Sequence, residues 1–343
     1  MTPLLALDSF KGCLTAPEAV DAVATALAGY DVCRMPLSDG GEGFTECLVG
    51  CLGGFFRTVP VHDPLGRPIQ ARYALLNDGR TAVIETAAAS GLTLLKPEEL
   101  DPARASSFGT GELMQDAVNQ GVDVIWIGLG GTAVMDCGTG LLQALTPLPA
   151  RVRVHAFYDV DVPFTGPTGA PSVFGPQKGA DEQGVAELER RFRCQADAWK
   201  KEYGIDPDRL PGAGAAGGIG AALALCLGAE MHAGIEAVLK AVHFSDRVRE
   251  CDLVITGEGK ADRQTLTGKA PFGVLQATRR YAPGIPVILL AGKVEDRSEL
   301  LTAGFDAVIQ VTPEESLKSN YLEKSFARDN IRRAVQDLVY FRD

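Results

Sequence analysis

The sequence predicts a two-domain α/β protein, and three features of the chain lead to that prediction. Its 343 residues suit two domains. Short β-branched strands alternate with amphipathic helices at both ends of the chain, whereas short strands joined by turns begin near Arg57. We therefore expect a discontinuous Rossmann-like parallel α/β domain of residues 1–55 and 241–343, with a second α/β domain of residues 56–240 inserted and the active site in the cleft.

The first elements have clear local signals. Residues 4–7 are an apolar strand pattern, and Thr15 with Glu18 three positions later is typical of a capping box at a helix start. A second strand at residues 32–37 leads into a glycine-rich loop at residues 38–43. Further strands are expected at residues 58–61, 71–75, 81–85, 122–128, 152–157, 287–291 and 307–311.

Residues 252–274 organise the C-terminal part of the chain. A buried strand at residues 253–256 passes into a glycine-rich turn that carries Glu258, at the end of the strand where open α/β sheets bind ligands. Glu258 and Lys269 beside the start of a helix suit a metal–nucleotide complex, since carboxylates bind Mg²⁺ and a lysine binds phosphate. The alternative is an ordinary strand–loop–helix connection with solvated charges.

Composition excludes some classes of partner. A net charge of −11 argues against nonspecific binding to nucleic acid or anionic membrane, and 46% hydrophobic with 22% charged residues is typical of a soluble globular protein. The chain begins without the charged region of a secretory signal. The uncharged residues 210–229 are rich in glycine and alanine, which favours a buried loop and helix over a membrane span. Eight scattered cysteines without a Cys-x-x-Cys pair predict reduced, buried thiols in a cytoplasmic protein.

Common nucleotide and hydrolase motifs match poorly. Residues 128–133 fit the dinucleotide pattern GxGxxA, but the acidic residue expected about 20 positions on is missing. Asp136 is too close, and Asp159 lies beyond a proline-interrupted segment. A nicotinamide-dependent oxidoreductase is therefore a weakly supported alternative. Lys269 lacks the glycine spacing of a Walker A loop, and no Gly-x-Ser-x-Gly elbow occurs.

Other polar groups could bind a ligand or serve the fold. Asp159 and Asp161 follow a strand at spacing two, so their carboxylates could share a metal ion or divide acid–base chemistry, unless they only form a turn. Lys178 lies in a glycine–proline frame that suits an anion. Gly217 and Gly218 would let a polyphosphate approach backbone N–H groups, or else allow tight helix packing. The histidines have no metal spacing and are expected to be structural: His62, His155, His232 and His243.

Taken in order, a series of runs resembles the bacterial glycerate kinase family with two α/β domains. The runs extend from Ala6 to about Ala291 and read ALDSFKGCLTAPEA, LSDGGEG, DPLGRPIQARY, AVIETAAASGL, FGTGEL, GLGGTAVMDCGTGLLQAL, DVDVPFTGPTGA, VFGPQKGA, LPGAGAAGGIGAAL and VITGEGKADRQTLTGKAPFGV. The resemblance implies an ATP- and Mg²⁺-dependent kinase that phosphorylates a small hydroxy acid, D-glycerate, commonly to 2-phosphoglycerate. We expect it to act as a monomer or homodimer.

The resemblance implies that residues of these motifs line the site, and we assign them to four groups by what phosphoryl transfer requires. The predicted catalytic residues are Lys11, Asp159 and Asp161, because phosphoryl transfer needs charge neutralisation and a group that accepts the hydroxyl proton. The predicted nucleotide-binding residues are Asp8, Ser9, Gly217, Gly218, Glu258 and Lys269, with Asp262 a further polar candidate. The predicted substrate-binding residues are Asp39, Glu85, Thr110, Asp136 and Lys178. The predicted Mg²⁺ ligands are Asp159 and Glu258.

Departures from the family pattern affect the acceptor side. Met135 and Val162 replace asparagines of the usual motifs, and the segment between Leu145 and Val152 is shorter than usual. We expect both apolar side chains to line the acceptor pocket. Restoring both amides should raise kcat/KM for D-glycerate about thirtyfold, from two hydrogen bonds of about 1 kcal/mol each. The alternatives are that both side chains fill the core, and that the protein is a substrate-shifted or non-catalytic relative that keeps nucleotide binding.

Overall fold

The structure is a computed structural model that describes residues 1–10, 12–314 and 323–340, the last three without their side chains. The strands in these ranges are β1 (Pro3–Leu7), β2 (Cys33–Arg34), β3 (Gly54–His62), β4 (Pro68–Leu76), β5 (Thr81–Glu85), β6 (Val124–Leu129), β7 (Arg153–Tyr158), β8 (Glu230–Ala233), β9 (Leu253–Ala261), β10 (Val287–Val294) and β11 (Ala307–Gln310). The α-helices are α1 (Ala16–Ala26), α2 (Phe44–Leu52), α3 (Ala87–Ser90), α4 (Phe108–Asn119), α5 (Thr139–Ala144), α6 (Ala170–Phe174), α7 (Glu182–Tyr203), α8 (Ala215–Cys226), α9 (Gly234–Ala241), α10 (Phe244–Val248), α11 (Ala270–Tyr281), α12 (Arg297–Thr302) and α13 (Lys324–Tyr340).

The chain forms two compact units. Unit 1 comprises Met1–Asp39, Glu46–Leu52 and Gly234–Asp343, and unit 2 comprises Gly40–Thr45 and Gly53–Ala233. Each unit contains its own sheet with helices, so the α/β class predicted from the sequence is confirmed. Unit 1 is discontinuous because the chain leaves it and returns after most of unit 2 has been formed.

The sheet of unit 1 is parallel in the described part of the chain, with strand order β11-β10-β9-β1-β2. Strand β1 pairs with β9 from Pro3 opposite Leu253 to Leu7 opposite Gly257, so the two ends of the chain share one sheet as predicted. Strand β2 is shorter than predicted, since its ladder with β1 covers only Cys33 and Arg34. The carboxyl ends of β1 and β9 therefore lie side by side.

The first helix begins as the sequence predicts. The Glu18 backbone N–H donates to Thr15 Oγ1 at 3.3 Å, and the Thr15 N–H donates to Glu18 Oε2 at 3.0 Å, which completes the capping box. Glu18 also accepts hydrogen bonds from Lys324 and Arg328 on α13. The Glu18 carboxylate thus caps the start of α1 and links α1 to α13.

The sheet of unit 2 is mixed, with strand order β3-β4-β5-β6-β7-β8. Strands β3, β4 and β5 pair antiparallel, whereas β5 to β8 pair in parallel. Glu85 at the end of β5 lies opposite Gly128, and Leu129 lies opposite Tyr158, so the carboxyl ends of β5, β6 and β7 share one edge. The short strand β8 was not predicted from the sequence.

The glycine- and alanine-rich segment forms an interior helix. Helix α8 covers Ala215–Cys226, and its first nine residues are buried. This confirms the expected buried loop and helix at residues 210–229. No helix in the described ranges combines the length and apolar character needed to cross a bilayer.

Candidate active site

Polar residues meet at the carboxyl edge of the unit 1 sheet. Asp8 follows β1, and its N–H donates to the Gly257 carbonyl at 3.0 Å, which places Asp8 beside Glu258 on the neighbouring strand. The Ser9 N–H donates to Asp8 Oδ1 at 2.6 Å. Asp39 follows β2 at the same edge, since the Leu37 N–H donates to the Leu7 carbonyl. The predicted catalytic residue Lys11 lies outside the described residues.

Glu258 is the most deeply buried acidic group at this edge, with 6% of the residue exposed. Its Oε1 accepts a hydrogen bond from Thr265 Oγ1 at 2.6 Å, and the Lys269 Nζ lies 3.7 Å from Oε2. Burial raises the pKa of the Glu258 carboxyl, while the Thr265 hydroxyl and the Lys269 ammonium act in the opposite direction. Strand β9 and the start of α11 thus bring together the carboxylate and lysine expected to bind a nucleotide.

Asp262 has a local structural role. Its Oδ1 accepts the Gln264 N–H at 2.9 Å, which caps the 3-10 turn Arg263–Thr267. Lys260 also contacts Asp262 at 3.1 Å and Glu295 at 2.9 Å. This arrangement holds the connection between β9 and α11, in which Thr265 and Lys269 lie.

In unit 2, Glu85 and Thr110 are held by nearby backbone and hydroxyl groups. Glu85 accepts the N–H groups of Thr45 at 2.8 Å and Gly43 at 3.3 Å. The fully buried Thr110 has its Oγ1 2.7 Å from Ser90 Oγ and donates to the Thr86 carbonyl at 3.3 Å. Both predicted substrate residues therefore make contacts that also stabilise the loops around them.

Asp136 is the centre of a buried hydrogen-bond network. It lies in the connection from β6 to α5, here called the β6–α5 loop (residues 130–138), and is 7% exposed. Its Oδ2 accepts the backbone N–H and the hydroxyl of Ser107, each at 2.8 Å, and the Gly140 N–H at 3.1 Å. Its Oδ1 accepts the Gly138 N–H at 3.1 Å. These donors fix the loop and the first turn of α5 to the start of α4.

Lys178 is buried beside the same loop, with 3% of the residue exposed. Its Nζ donates to the Val134 carbonyl at 2.8 Å and to Thr132 Oγ1 at 3.2 Å. Burial lowers the pKa of the Lys178 amine to about 7, and the negative charge of Asp136 opposes part of that change. Lys178 is therefore poised to gain or lose a proton near neutral pH.

We expect Lys178→Met to remove a pH dependence from the stability of unit 2. Folded Lys178 loses its proton near pH 7, whereas an unfolded lysine loses it near pH 10.4, so between these values the unfolded state binds more protons. The wild-type free energy of unfolding should therefore rise relative to the variant by up to about 1.4 kcal/mol per pH unit from pH 7 to pH 10.

Urea unfolding followed by tryptophan fluorescence measures this difference, because both tryptophans, Trp126 and Trp199, lie in unit 2. The exposed Lys201→Met variant is the matched control and should follow the wild type at every pH. Parallel pH curves for wild type and Lys178→Met would rule out a neutral amine at this position.

Gly217 and Gly218 pack against the β6–α5 loop. Ala216, Gly217 and Gly218 have φ values of 51°, 67° and 88° at the start of α8, a left-handed backbone that favours glycine. A Cβ on Gly217 would lie 1.9 Å from the Val134 carbonyl oxygen, and the Gly217 carbonyl accepts the Cys137 N–H at 3.1 Å. Tight packing thus accounts for both glycines, and their contact with a nucleotide stays a prediction.

Asp159 and Asp161 are exposed residues after β7. Asp161 Oδ1 accepts the Gly212 N–H at 2.9 Å, and the neighbouring Val162 carbonyl accepts the Gly214 N–H at 3.0 Å. These two bonds join the segment after β7 to the glycine-rich segment before α8. They give the Asp161 carboxylate a defined position while the residue stays exposed to solvent.

The expectation that Met135 lines an acceptor pocket is wrong. Its side chain is fully buried in an apolar cluster that includes Phe164, Phe192 and Trp199. The next residue in the β6–α5 loop is Asp136. The side chain of Met135 therefore packs in the core, while that of its neighbour lies in the hydrogen-bond network. Val162 is half-buried, and its backbone carbonyl accepts the Gly214 N–H. That its side chain lines the acceptor pocket stays a prediction.

We expect Met135→Asn to destabilise unit 2 by about 3 kcal/mol, because a fully buried thioether is replaced by an amide without polar partners. The volume-conserving Met135→Leu should cost less than about 1.5 kcal/mol. Urea unfolding followed by tryptophan fluorescence compares the two. A Met135→Asn variant as stable as wild type, with a raised kcat/KM for D-glycerate, would restore the acceptor-pocket interpretation.

The structure adds residues that the sequence analysis did not select. Ser107 and Thr132 complete the networks of Asp136 and Lys178, and Thr265 bonds Glu258. Ser107 lies 29 positions from Asp136 and Thr132 lies 46 from Lys178. A serine or threonine in a loop has too many ordinary uses for its sequence context to reveal such a partner.

The fold and the polar sets at its strand ends define an α/β enzyme of two units. Comparison with known proteins specifies the family: the glycerate kinase family model matches residues 3–148 and 145–341. The chain is 37% identical to a glycerate kinase of Halalkalibacterium halodurans over 91% of both proteins. It is 36% identical to a glycerate 2-kinase of Escherichia coli, with 99% of this chain and 97% of the relative covered.

Comparison with a solved structure supports the same family. A crystal structure of a protein assigned as glycerate kinase 2 from Salmonella typhimurium LT2 matches with a TM-score of 0.86 and 36% sequence identity, over 99% of this chain and 98% of that one. The chain therefore belongs to the glycerate kinase family. It is a glycerate-kinase-like phosphotransferase with an alcohol group as acceptor.

Proposed function

We propose that this protein transfers the γ-phosphoryl group of ATP to a hydroxyl of D-glycerate and forms 2-phosphoglycerate, with Mg²⁺ as cofactor. The observation that carries the proposal is the match along 99% of the chain to a relative named glycerate 2-kinase. The acidic residues at the strand ends of both units, and Lys269 at the start of α11, are the kinds of group that phosphoryl transfer uses for positioning and charge neutralisation.

In this proposal Asp161 accepts the proton of the attacking hydroxyl. The Gly212 N–H orients its carboxylate, and its exposure leaves it accessible to a small substrate. Mg²⁺ prefers carboxylate oxygens, and Asp159 and Glu258 supply ligands of that type; the bound ion would neutralise phosphate oxygens. Lys269 and Lys11 are proposed to neutralise further phosphate charge.

On the acceptor side, the proposed roles of Asp136 and Lys178 work through the β6–α5 loop. Lys178 donates a hydrogen bond to the Val134 carbonyl, and Asp136 accepts the N–H groups of Gly138 and Gly140. These bonds fix the conformation of the loop. A preorganised loop costs less free energy when the substrate binds. Asp39, Glu85 and Thr110 are proposed to complete this side.

The experiment is a coupled assay of ADP release with ATP, Mg²⁺ and D-glycerate, followed by ³¹P NMR of the product. A phosphate on C2 couples to one proton and gives a doublet, whereas a phosphate on C3 couples to two and gives a triplet. The proposal predicts the doublet. If ATP raises the melting temperature but no hydroxy acid in a broad panel is phosphorylated, the protein is a non-catalytic relative that keeps nucleotide binding.

A further inference from the structure

Strand β8 brings two histidines and a glutamate together on one face of the unit 2 sheet. In the β7–β8 ladder His155 lies opposite Glu230 and Phe157 lies opposite His232. The His155 Nδ1 and His232 Nε2 atoms are 2.9 Å apart, and Glu230 Oε2 is 3.5 Å from the former and 3.9 Å from the latter. Within the described ranges, this is the group of three potential metal ligands whose atoms converge within 4.8 Å.

The two rings are already held in place. The imidazoles stack with centroids 5.2 Å apart, and the Phe157 ring stacks on His232 at 5.0 Å. The His155 side chain is 17% exposed and that of His232 is 30% exposed, whereas Glu230 is 64% exposed and can adjust its position. Two ligands are therefore positioned by the sheet, and the third is adjustable and open to solvent.

The geometry is close to what a tetrahedral metal ion requires. Zinc–nitrogen bonds of about 2.0–2.1 Å at tetrahedral angles separate two ligand nitrogens by about 3.3 Å. The observed 2.9 Å needs an opening of a few tenths of an ångström, and the rings must also turn so that both lone pairs point at the ion and no longer at each other. The proton now shared between the rings would move to Nε2 of His155 or Nδ1 of His232, which leaves both facing nitrogens with a lone pair.

We propose that His155, Glu230 and His232 form a binding site for a first-row divalent transition metal of the Zn²⁺ class. Two imidazoles and one carboxylate with a fourth position open to water is a ligand set that suits Zn²⁺, and nitrogen ligands disfavour Mg²⁺. None of its three residues is among those proposed for phosphoryl transfer. The Arg153 side chain is a nearby cation that opposes binding, and the Glu230 charge offsets it.

Metal binding would stabilise the edge of the sheet. Strand β8 is four residues long and pairs with β7 on one side, so it has few hydrogen bonds of its own. A metal ion held by one ligand from β7 and two from β8 would link the strands. Because the ion binds the folded protein, it should raise the melting temperature by an amount that grows with the logarithm of the ratio of metal concentration to Kd.

The test is a Co²⁺ titration of the full-length protein after EDTA treatment, since Co²⁺ reports its coordination by visible absorption. Trp126 lies opposite His155 in the β6–β7 ladder, so Co²⁺ at the site should also quench its fluorescence. Wild type should develop the d–d bands of a nitrogen–oxygen site and melt at a higher temperature with Zn²⁺. Glu230→Gln and His232→Gln should bind Co²⁺ at least about tenfold more weakly.

Controls separate this site from others. His62→Gln removes a histidine whose ring contacts Glu112 and Phe108 and not the proposed ligands, and this variant should bind Co²⁺ like wild type. Glu230→Gln changes an exposed side chain, so it tests the site even if a histidine variant fails to fold. Equal affinity of Glu230→Gln, His232→Gln and wild type would overturn the proposal. So would the absence of d–d bands, or a charge-transfer band that shows thiolate ligands from the cysteines.

Discussion

Exchanging Asp161 for asparagine should lower kcat for D-glycerate about 10²–10⁴-fold, because an amide cannot accept the hydroxyl proton. This prediction rests on the proposed kinase function and on the position that the Gly212 N–H gives to Asp161. An asparagine oxygen can still accept that N–H, so the fold of the segment after β7 should be kept. The KM for ATP should change little.

Comparing Asp159→Asn with Asp161→Asn tests which aspartate binds Mg²⁺ and which accepts the hydroxyl proton. If Asp159 binds Mg²⁺, its variant should lose activity at low Mg²⁺ and recover part of it at high Mg²⁺, because the weakened site fills by mass action. Asp161→Asn should show no such recovery. The matched control is Asp197→Asn, an exposed aspartate on α7. Mg²⁺ rescue of Asp161→Asn instead of Asp159→Asn would mean that the two roles are reversed.

Replacing Asp136 with alanine should destabilise unit 2 by about 3–5 kcal/mol, since it removes a buried carboxylate and leaves its donors unsatisfied. The N–H groups of Ser107, Gly138 and Gly140 would all lose their acceptor. The Lys178 ammonium would also lose a favourable charge, which should lower the pKa of Lys178 further.

Variants with graded expected losses of stability test this prediction. Ser107→Ala removes a hydroxyl that donates to Asp136 and accepts the Leu141 N–H at 2.9 Å, but it keeps the backbone N–H that Asp136 accepts, so it should cost about 1–3 kcal/mol. The exposed Asp197→Asn variant, also in unit 2, should melt like wild type. Urea unfolding followed by tryptophan fluorescence reports on unit 2 in each case. If Asp136→Ala lowers the free energy of unfolding no more than Ser107→Ala does, the Asp136 carboxylate is not the centre of the network.

The sequence determined the features that depend on local chain chemistry and order. The apolar run at residues 4–7, the capping box of Thr15 and Glu18 and the strand at residues 253–256 each have a signal within a few positions, and the structure confirms them. The ordered series of motifs was enough to identify the glycerate kinase family. Strands and helix caps of this kind can be predicted from the sequence because neighbouring residues decide the backbone conformation there.

Only the tertiary structure decided how individual side chains are used. Met135 and Asp136 are adjacent in a loop, and packing alone directs the first into an apolar cluster and the second into a hydrogen-bond network. The buried Lys178 amine donates a hydrogen bond to the Val134 carbonyl, 44 positions away. His155 and His232 meet across 77 positions because β8 pairs with β7. Contacts between distant residues set burial, charge and ligand geometry, and a pattern read along the chain contains no distances between such residues.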